Sequence, residues 1–338
     1  MNFLDVQVWL PIVFVGLMGL AMMMYAILDG YDLGVGMLLL SGDPEQKEIM
    51  IGSIGPFWDA NETWLVLGVG LLLTAFPVAH GIILTELYLP VTLMLFGLIL
   101  RGVAFDFRAK AKVAQKKFWN KAFFIGSLTA SFCQGYMLGS YILGFPTSLA
   151  GTAFGLLVGC CVSAGYILIG ACWLIMKTEG LLQKKAILWA RTTLWLACFG
   201  IALVSVASPI FSDRIYEKWF SVPEFFLLLP IPVLTAVLAV FLELTLRKLP
   251  QENDANSSLP FMIVIGMIIL CFHGLAYSFF PYIIPDKMTI FEAASSTEAL
   301  QFIFAGAVIV LPFLFGYTLF IYKVFKGKAT TLAYECDR

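Results

Sequence analysis

Nine apolar stretches set the terms on which this chain can fold: residues 8–28, 53–76, 81–105, 122–144, 151–176, 192–211, 223–245, 260–281 and 300–322. Each is close to or above the roughly 20 residues that a helix needs to cross a bilayer core of about 30 Å. A helix satisfies its own backbone polar groups, which lipid cannot do for it. The expectation is therefore an all-α integral membrane protein with nine transmembrane helices, organised as one polytopic domain over residues 1–338. Composition agrees, because the chain is 60% hydrophobic and 13% charged, against about 25% charged residues in soluble domains. A water-soluble enzyme is excluded. The formal net charge of −1 gives no basic field to hold nucleic acid, so the expected partners are membrane lipids and other protein. Of the seven cysteines, all but Cys336 lie in apolar runs, and none stands in a Cys-x-x-Cys pair. They read as small core residues.

An odd number of spans places the termini on opposite sides. Asp5 is the only charge before the first span, and no small-residue cleavage site follows it, so that span reads as a retained helix and not a removable signal. With the N-terminus outside, 18 of the 21 lysines and arginines fall on the inner side, among them the seven from Arg101 to Lys121. Only Arg214, Lys218 and Lys287 fall outside. The positive-inside rule then gives an external N-terminus and a cytoplasmic C-terminus. The longest connections, the basic stretch Arg108–Lys121 and the polar stretch 281–299, are too short to hold a soluble domain. Gly135–Gly139 and Gly155–Gly159 have the spacing that lets helix backbones approach closely. No internal repeat is found.

Charges at membrane depth carry the most information, since each is costly there unless paired or functional. They concentrate in three places: Asp29-Gly30-Tyr31-Asp32-Leu33-Gly34 at the expected end of the first span, Gly55-Pro56-Phe57-Trp58-Asp59-Ala60-Asn61-Glu62-Thr63-Trp64 at the start of the second, and Leu100-Arg101-Gly102-Val103-Ala104-Phe105-Asp106-Phe107-Arg108 at the end of the third. In the topology above all three lie near the cytoplasm. Asp59 and Glu62 share a helix face, as do Asp29 and Asp32, and Arg101 is the one cation at comparable depth. Five acids and one arginine cannot all be ionised when poorly hydrated, so some of these carboxyls exchange protons near neutrality. Groups of that kind are what a proton path requires. A structural reading stands beside it: Pro56 followed by acids in the opening turns is also what a helix N-terminus favours.

Other candidates are weaker. Glu86 is as suited to pairing with a neighbouring helix as to function, and Glu224 and Glu243, near span ends, can reach water. The two histidines, His80 and His273, sit at different depths, so the chain is not expected to ligate haem by a histidine pair, nor to hold any other metal.

The three charged segments closely resemble those of subunit II of cytochrome bd quinol oxidases, motifs shared with the cyanide-insensitive relatives of that family. Length, span number and orientation extend the resemblance over the whole chain, although the specific motifs all lie in its first third. The resemblance implies a fold of two four-helix groups plus one extra helix. It implies an obligate complex with a haem-bearing subunit I, which holds two b-type haems and one haem d, with room for a small single-helix third subunit. Such a complex is an electrogenic, oxygen-reducing oxidoreductase of the aerobic respiratory chain, in a bacterial or archaeal cytoplasmic membrane. It oxidises quinol at the outer face and reduces O₂ to water with cytoplasmic protons, this chain ligating no haem itself. It also implies a proton route near Asp59, where the carboxylate ladder leads independently. The expected path residues are Asp59 and Glu62, with Asp29, Asp32, Arg101 and Asp106 tuning the entrance. The rival classes are a proton-coupled transporter, which usually shows paired broken helices and repeats that are not apparent here, and a purely structural scaffold.

Overall fold

The computed structural model describes residues 5–251 and 254–329. Its helices are α1 (Val6–Leu38), α2 (Pro44–Ile54), α3 (Trp58–Ala75), α4 (Pro77–Glu86), α5 (Tyr88–Lys110), α6 (Val113–Ile142), α7 (Leu149–Lys177), α8 (Gly180–Phe211), α9 (Asp213–Phe220), α10 (Glu224–Leu228), α11 (Pro230–Lys248) and α12 (Leu259–Phe279). A short antiparallel hairpin, β1 (Tyr282–Ile284) and β2 (Met288–Thr289), leads into α13 (Ile290–Ala293) and the last long helix, α14 (Thr297–Val324). Among the described residues seven helical segments are long and apolar enough to cross a membrane, and an eighth is added if α3 and α4 form one bent span. α6 is 30 residues long but too polar to join them on composition. The chain is therefore a helical, multi-pass membrane protein.

Several boundaries differ from hydropathy, each for a physical reason. The apolar run of the first span stops at residue 28, yet α1 continues to Leu38. Every residue from Ile27 to Leu39 is buried, because α3, α6 and α7 pack around this half of α1. A helix wrapped in protein can carry Asp29 and Asp32 in its body, where one facing lipid could not. The second apolar run, by contrast, ends where hydropathy puts it, at residue 76. Pro77 lacks an N–H and restricts the residue before it, so α3 ends at Ala75, Phe76 leaves helical geometry, and the chain turns by 120° into α4. The basic stretch expected as a loop is almost wholly helical: only Ala111 and Lys112 separate α5 from α6.

Helices in lipid gain little from the hydrophobic effect, so close backbone contact and polar pairing carry more of the packing. Gly135 and Gly139 on α6 meet Gly159 and Gly155 on α7, with ideal Cβ positions only 2.7 and 2.9 Å from the opposing Cα atoms. The tightest crossing is α1 on α7. A Cβ on Gly34 would lie 1.8 Å from the Tyr166 carbonyl oxygen, and one on Gly170 would meet the backbone of Gly34 and Val35 at 2.6 Å.

The two largest apolar cores are rich in aromatic residues. The larger surrounds the second half of α1 and includes Phe57, Trp64 and Trp173; the smaller, towards the opposite end of α1, joins Leu10, Phe14 and Phe76 to Ile283, Ile284 and Ile290. The polar stretch 281–299 is thus folded over that end, its α13 held by a capping box between Thr289 and Glu292. At the other end the segment after α14 is tied down: Lys177 Nζ donates to the carbonyls of Phe325 (2.5 Å) and Gly327 (3.0 Å), and Lys328 reaches Met176, Thr178 and Asp254.

α2 is not a span but a clamp on that end. Glu48 accepts from both terminal nitrogens of Arg108 on α5 and from Lys116 on α6, each at 3.0 Å, while Arg108 Nε donates to Asn120 at 2.6 Å. Burial by itself would push the Glu48 carboxyl up, but the hydrogen bonds and charges of Arg108 and Lys116 outweigh it and hold the carboxyl below its ordinary range.

Two predictions follow from this packing. Gly34→Val should force α1 off α7 and lower the thermal midpoint of the solubilised protein, with a destabilisation of about 1–3 kcal/mol as for other overpacked cores. For Glu48 the depressed carboxyl contributes stability above about pH 4.3, the unfolded value, and loses it as the pH falls through the lower folded value. Acidification should therefore release α2 in the native chain, seen as faster amide exchange over 44–54. Glu48→Gln should show that exchange already at pH 7 and respond less to acid.

Candidate functional site

The site is built where the second half of α1, the start of α3 and the end of α5 converge. Pro56 closes the turn after α2, and α3 opens at Trp58, which places Asp59 in the first turn and Glu62 one turn further in. Arg101 projects from α5 between α1 and α3. It is 1% exposed, and its Nη1 donates to Asp29 Oδ1 at 2.7 Å while Nη2 pairs with Glu62 Oε1. One guanidinium thus ties three helices. Asp29 is fully buried, whereas the Glu62 side chain keeps 31% exposure. Desolvating each of these ions costs several kcal/mol, which only mutual pairing offsets.

Asp32 sits one turn beyond Asp29 and uses a different partner. Asn61 Nδ2 donates to Asp32 Oδ2 at 2.8 Å and lies 2.9 Å from the Tyr31 hydroxyl and 3.2 Å from the Leu28 carbonyl. Tyr322, from α14, donates to Asn61 Oδ1 at 3.2 Å, and the hydroxyls of Tyr31 and Tyr322 are 2.6 Å apart. Tyr31 is fixed by stacking on Trp173, with ring centroids 4.1 Å apart. One turn before Asp29 a second relay is formed by Tyr166, which donates to Gln134 (2.8 Å), which in turn donates to Tyr25 (2.7 Å). Asp29 Oδ2, Asp32 Oδ1 and Arg101 Nε are buried polar atoms with no protein partner among the described residues.

The structure thus brings together four of the six expected residues: Asp29, Asp32, Glu62 and Arg101. Asp59 and Asp106 are exposed, and neither makes a side-chain hydrogen bond or ion pair among the described residues. Asp106 is five residues past Arg101, a rotation of about 140° around the helix, so it cannot share the Arg101 face. Arg108, seven residues on, does share it and is buried. Asn61, Tyr31 and Tyr322 are the members that sequence reasoning missed. Asn61 was inside the quoted segment, between the two acids on its own helix.

Glu243 departs from expectation. It does not reach water but is 7% exposed, and its Oε1 accepts from Arg191 on α8 and Arg247 on α11. Glu86 is exposed at the end of α4. His80 lies on α4; His273, on α12, is exposed and its Nδ1 is 2.7 Å from the Ile269 carbonyl. No group of three or more His, Cys, Asp or Glu that could hold a metal ion occurs among the described residues.

A polytopic helical membrane protein with two buried carboxyls, one linked through an arginine to a half-exposed acid and the other held by an asparagine, is the class these features define. Residues 10–325 match the family of cytochrome bd terminal oxidase subunit II, and the chain belongs to that family. It is 28% identical to cytochrome bd-I ubiquinol oxidase subunit 2 of Escherichia coli K12, over 93% of each chain. It is 26% identical to cytochrome bd ubiquinol oxidase subunit 2 of Bacillus subtilis, over 90% of this chain and 93% of that one. In fold it is similar to a chain of the bd oxidase from Geobacillus thermodenitrificans, with a TM-score of 0.76 at 17% identity, covering 94% of this chain and 99% of that one. These relatives are bacterial, and an archaeal origin finds no support among them.

Removing Arg101 while leaving Asp29 buried should cost about 3–5 kcal/mol, as for other broken buried pairs. Arg101→Met is expected to lower the yield of folded protein sharply. Adding Asp29→Asn should recover part of it, measured as the thermal midpoint of the purified double variant against each single one.

Proposed function

We propose that this chain is the subunit that stabilises the haem-bearing subunit I of a bd-type quinol oxidase and supplies it with cytoplasmic protons for O₂ reduction to water. On this reading the haems and the quinol site belong to subunit I, and the chain spans the membrane nine times with its N-terminus outside. Its helices form two four-helix groups plus one, with space for a small third subunit. Family membership supports the oxidase assignment. The observation that carries the proton route is the graded burial along one line of groups: Asp59 exposed, Glu62 half-buried one turn in, then Arg101 and the fully buried Asp29, while Asp32, one turn nearer the cytoplasmic end of α1, stands beside this line on Asn61.

The roles divide by chemistry. Arg101 cannot give up its proton at any physiological pH, so it holds the geometry and a fixed positive charge while protons move between carboxyls. Asp59 and Glu62 are about 4.5 Å apart along the helix axis, a separation that one water or one side-chain rotation can bridge. The unpartnered Oδ2 of Asp29 is an acceptor at the inner end of this line. Asp106, on another face of α5, is left with at most an electrostatic influence on the surface around Asp59. One observation favours the scaffold reading: Arg101 with two carboxylates is also an effective three-helix fastener.

Asp59→Asn separates the two, because Asp59 is exposed and takes no part in the fastener. In the intact oxidase it should leave haem content unchanged and slow O₂ consumption about tenfold, equivalent to about 1.4 kcal/mol on the limiting step. The slowing should grow as pH rises and protons become scarce. Unchanged turnover across pH would refute conduction through Asp59 and leave the scaffold reading.

A further inference from the structure

Glu243 joins two helices in a way the proton route does not use. Its Oε1 accepts from Arg191 Nε (3.3 Å) and Nη2 (3.0 Å) and from Arg247 Nε (2.8 Å). One buried carboxylate therefore holds two guanidinium groups, and the cluster keeps a net charge of +1. The arginine side chains are 40% and 60% exposed. Arg191 Nη1 and both terminal nitrogens of Arg247 make no hydrogen bond to the protein among the described residues.

The surroundings say what faces those nitrogens. On α8, Leu188, Trp195, Leu196 and Phe199 are exposed, and Lys184, Leu188, Arg191 and Trp195 follow one another along a single helix stripe. On α11, Val240, Phe241 and Leu244 are exposed below Arg247, and Lys248 is exposed beside it. Both helices thus change from apolar to basic at the same level, the level at which Glu243 ties them. Trp195 lies about 6 Å below Arg191 along the axis, at the depth where an indole sits beneath lipid headgroups. A guanidinium fork matches two phosphate oxygens, and acyl chains match the apolar wall below.

We infer that Arg191 and Arg247, held by Glu243, form a binding site for the phosphate of an anionic phospholipid whose tails lie along Trp195, Phe199 and Leu244. Glu243 is a positioning residue: it fixes the two forks side by side and leaves their outer nitrogens to the lipid. Phosphate, and not a carboxylate of another protein chain, is favoured by the continuous apolar face directly below the charges.

The test uses the purified complete oxidase reconstituted in phosphatidylcholine, with phosphatidylglycerol carrying brominated acyl chains titrated in. Bromine should quench Trp195 at mole fractions well below those needed with brominated phosphatidylcholine, and Trp195→Phe should remove that extra quenching. The Arg191→Gln, Arg247→Gln double variant should weaken the preference by about fivefold for each arginine lost, with O₂ consumption in excess lipid unchanged. If that variant does not assemble, the comparison of the two brominated lipids in the native oxidase and in Trp195→Phe decides alone. Equal quenching by both lipids, or no quenching because a protein chain covers the face, would overturn the inference.

Discussion

The burial of Arg101 between α1 and α3 is the constraint on which the rest depends. A guanidinium at 1% exposure must be matched by carboxylates, and matching it with Asp29 and Glu62 draws three helices to one point. The price of that arrangement is that acids must sit in the body of α1, and α1 can hold them only if protein surrounds it. The close glycine crossing of α1 with α7, where Gly34 and Gly170 leave no space for side chains, supplies that surrounding. Polar pairing and glycine packing are thus two halves of one solution, the first needing the shelter that the second provides.

Much of this was legible in the sequence because lipid imposes simple rules. Helix positions follow from apolar length, and the glycine pairs on α6 and α7 meet as their spacing suggests. The i, i+3 acids and the lone deep arginine put Asp29, Asp32, Asp59, Glu62 and Arg101 in one cluster with Asp106, without telling which of the acids Arg101 would pair with. What hydropathy could not show was where protein replaces lipid. It ended the first helix at residue 28 because it treats Asp29 and Asp32 as unfit for the membrane, which holds only for a lipid-facing surface. Its reading of Arg108–Lys121 as a loop failed for the related reason that basic residues at a helix end are as content in water as in a turn.

The site was legible to the extent that its members are local. Asn61 could have been found from its place between Asp59 and Glu62. Tyr322 carries no such signal, since a tyrosine near the end of a last span reads as an interfacial aromatic. Asp106 was misplaced by treating a cluster in sequence as a cluster in space, although the helical rotation from Arg101 already sets it on another face. Glu243 was misread in the opposite sense: its two arginines, 52 residues before and four after, are too far apart in sequence for spacing alone to reveal the trio.

Tyr322 lies 261 residues after Asn61, and the carbonyls that Lys177 grips lie later still. As the chain emerges during synthesis, α1 and α3 must wait in the bilayer with the Asp32–Asn61 pair lacking its last hydroxyl until the final span is threaded in. The polar interior is therefore completed only when α14 arrives, and a nascent protein cut short before α14 would carry an open seam that quality-control proteases can recognise.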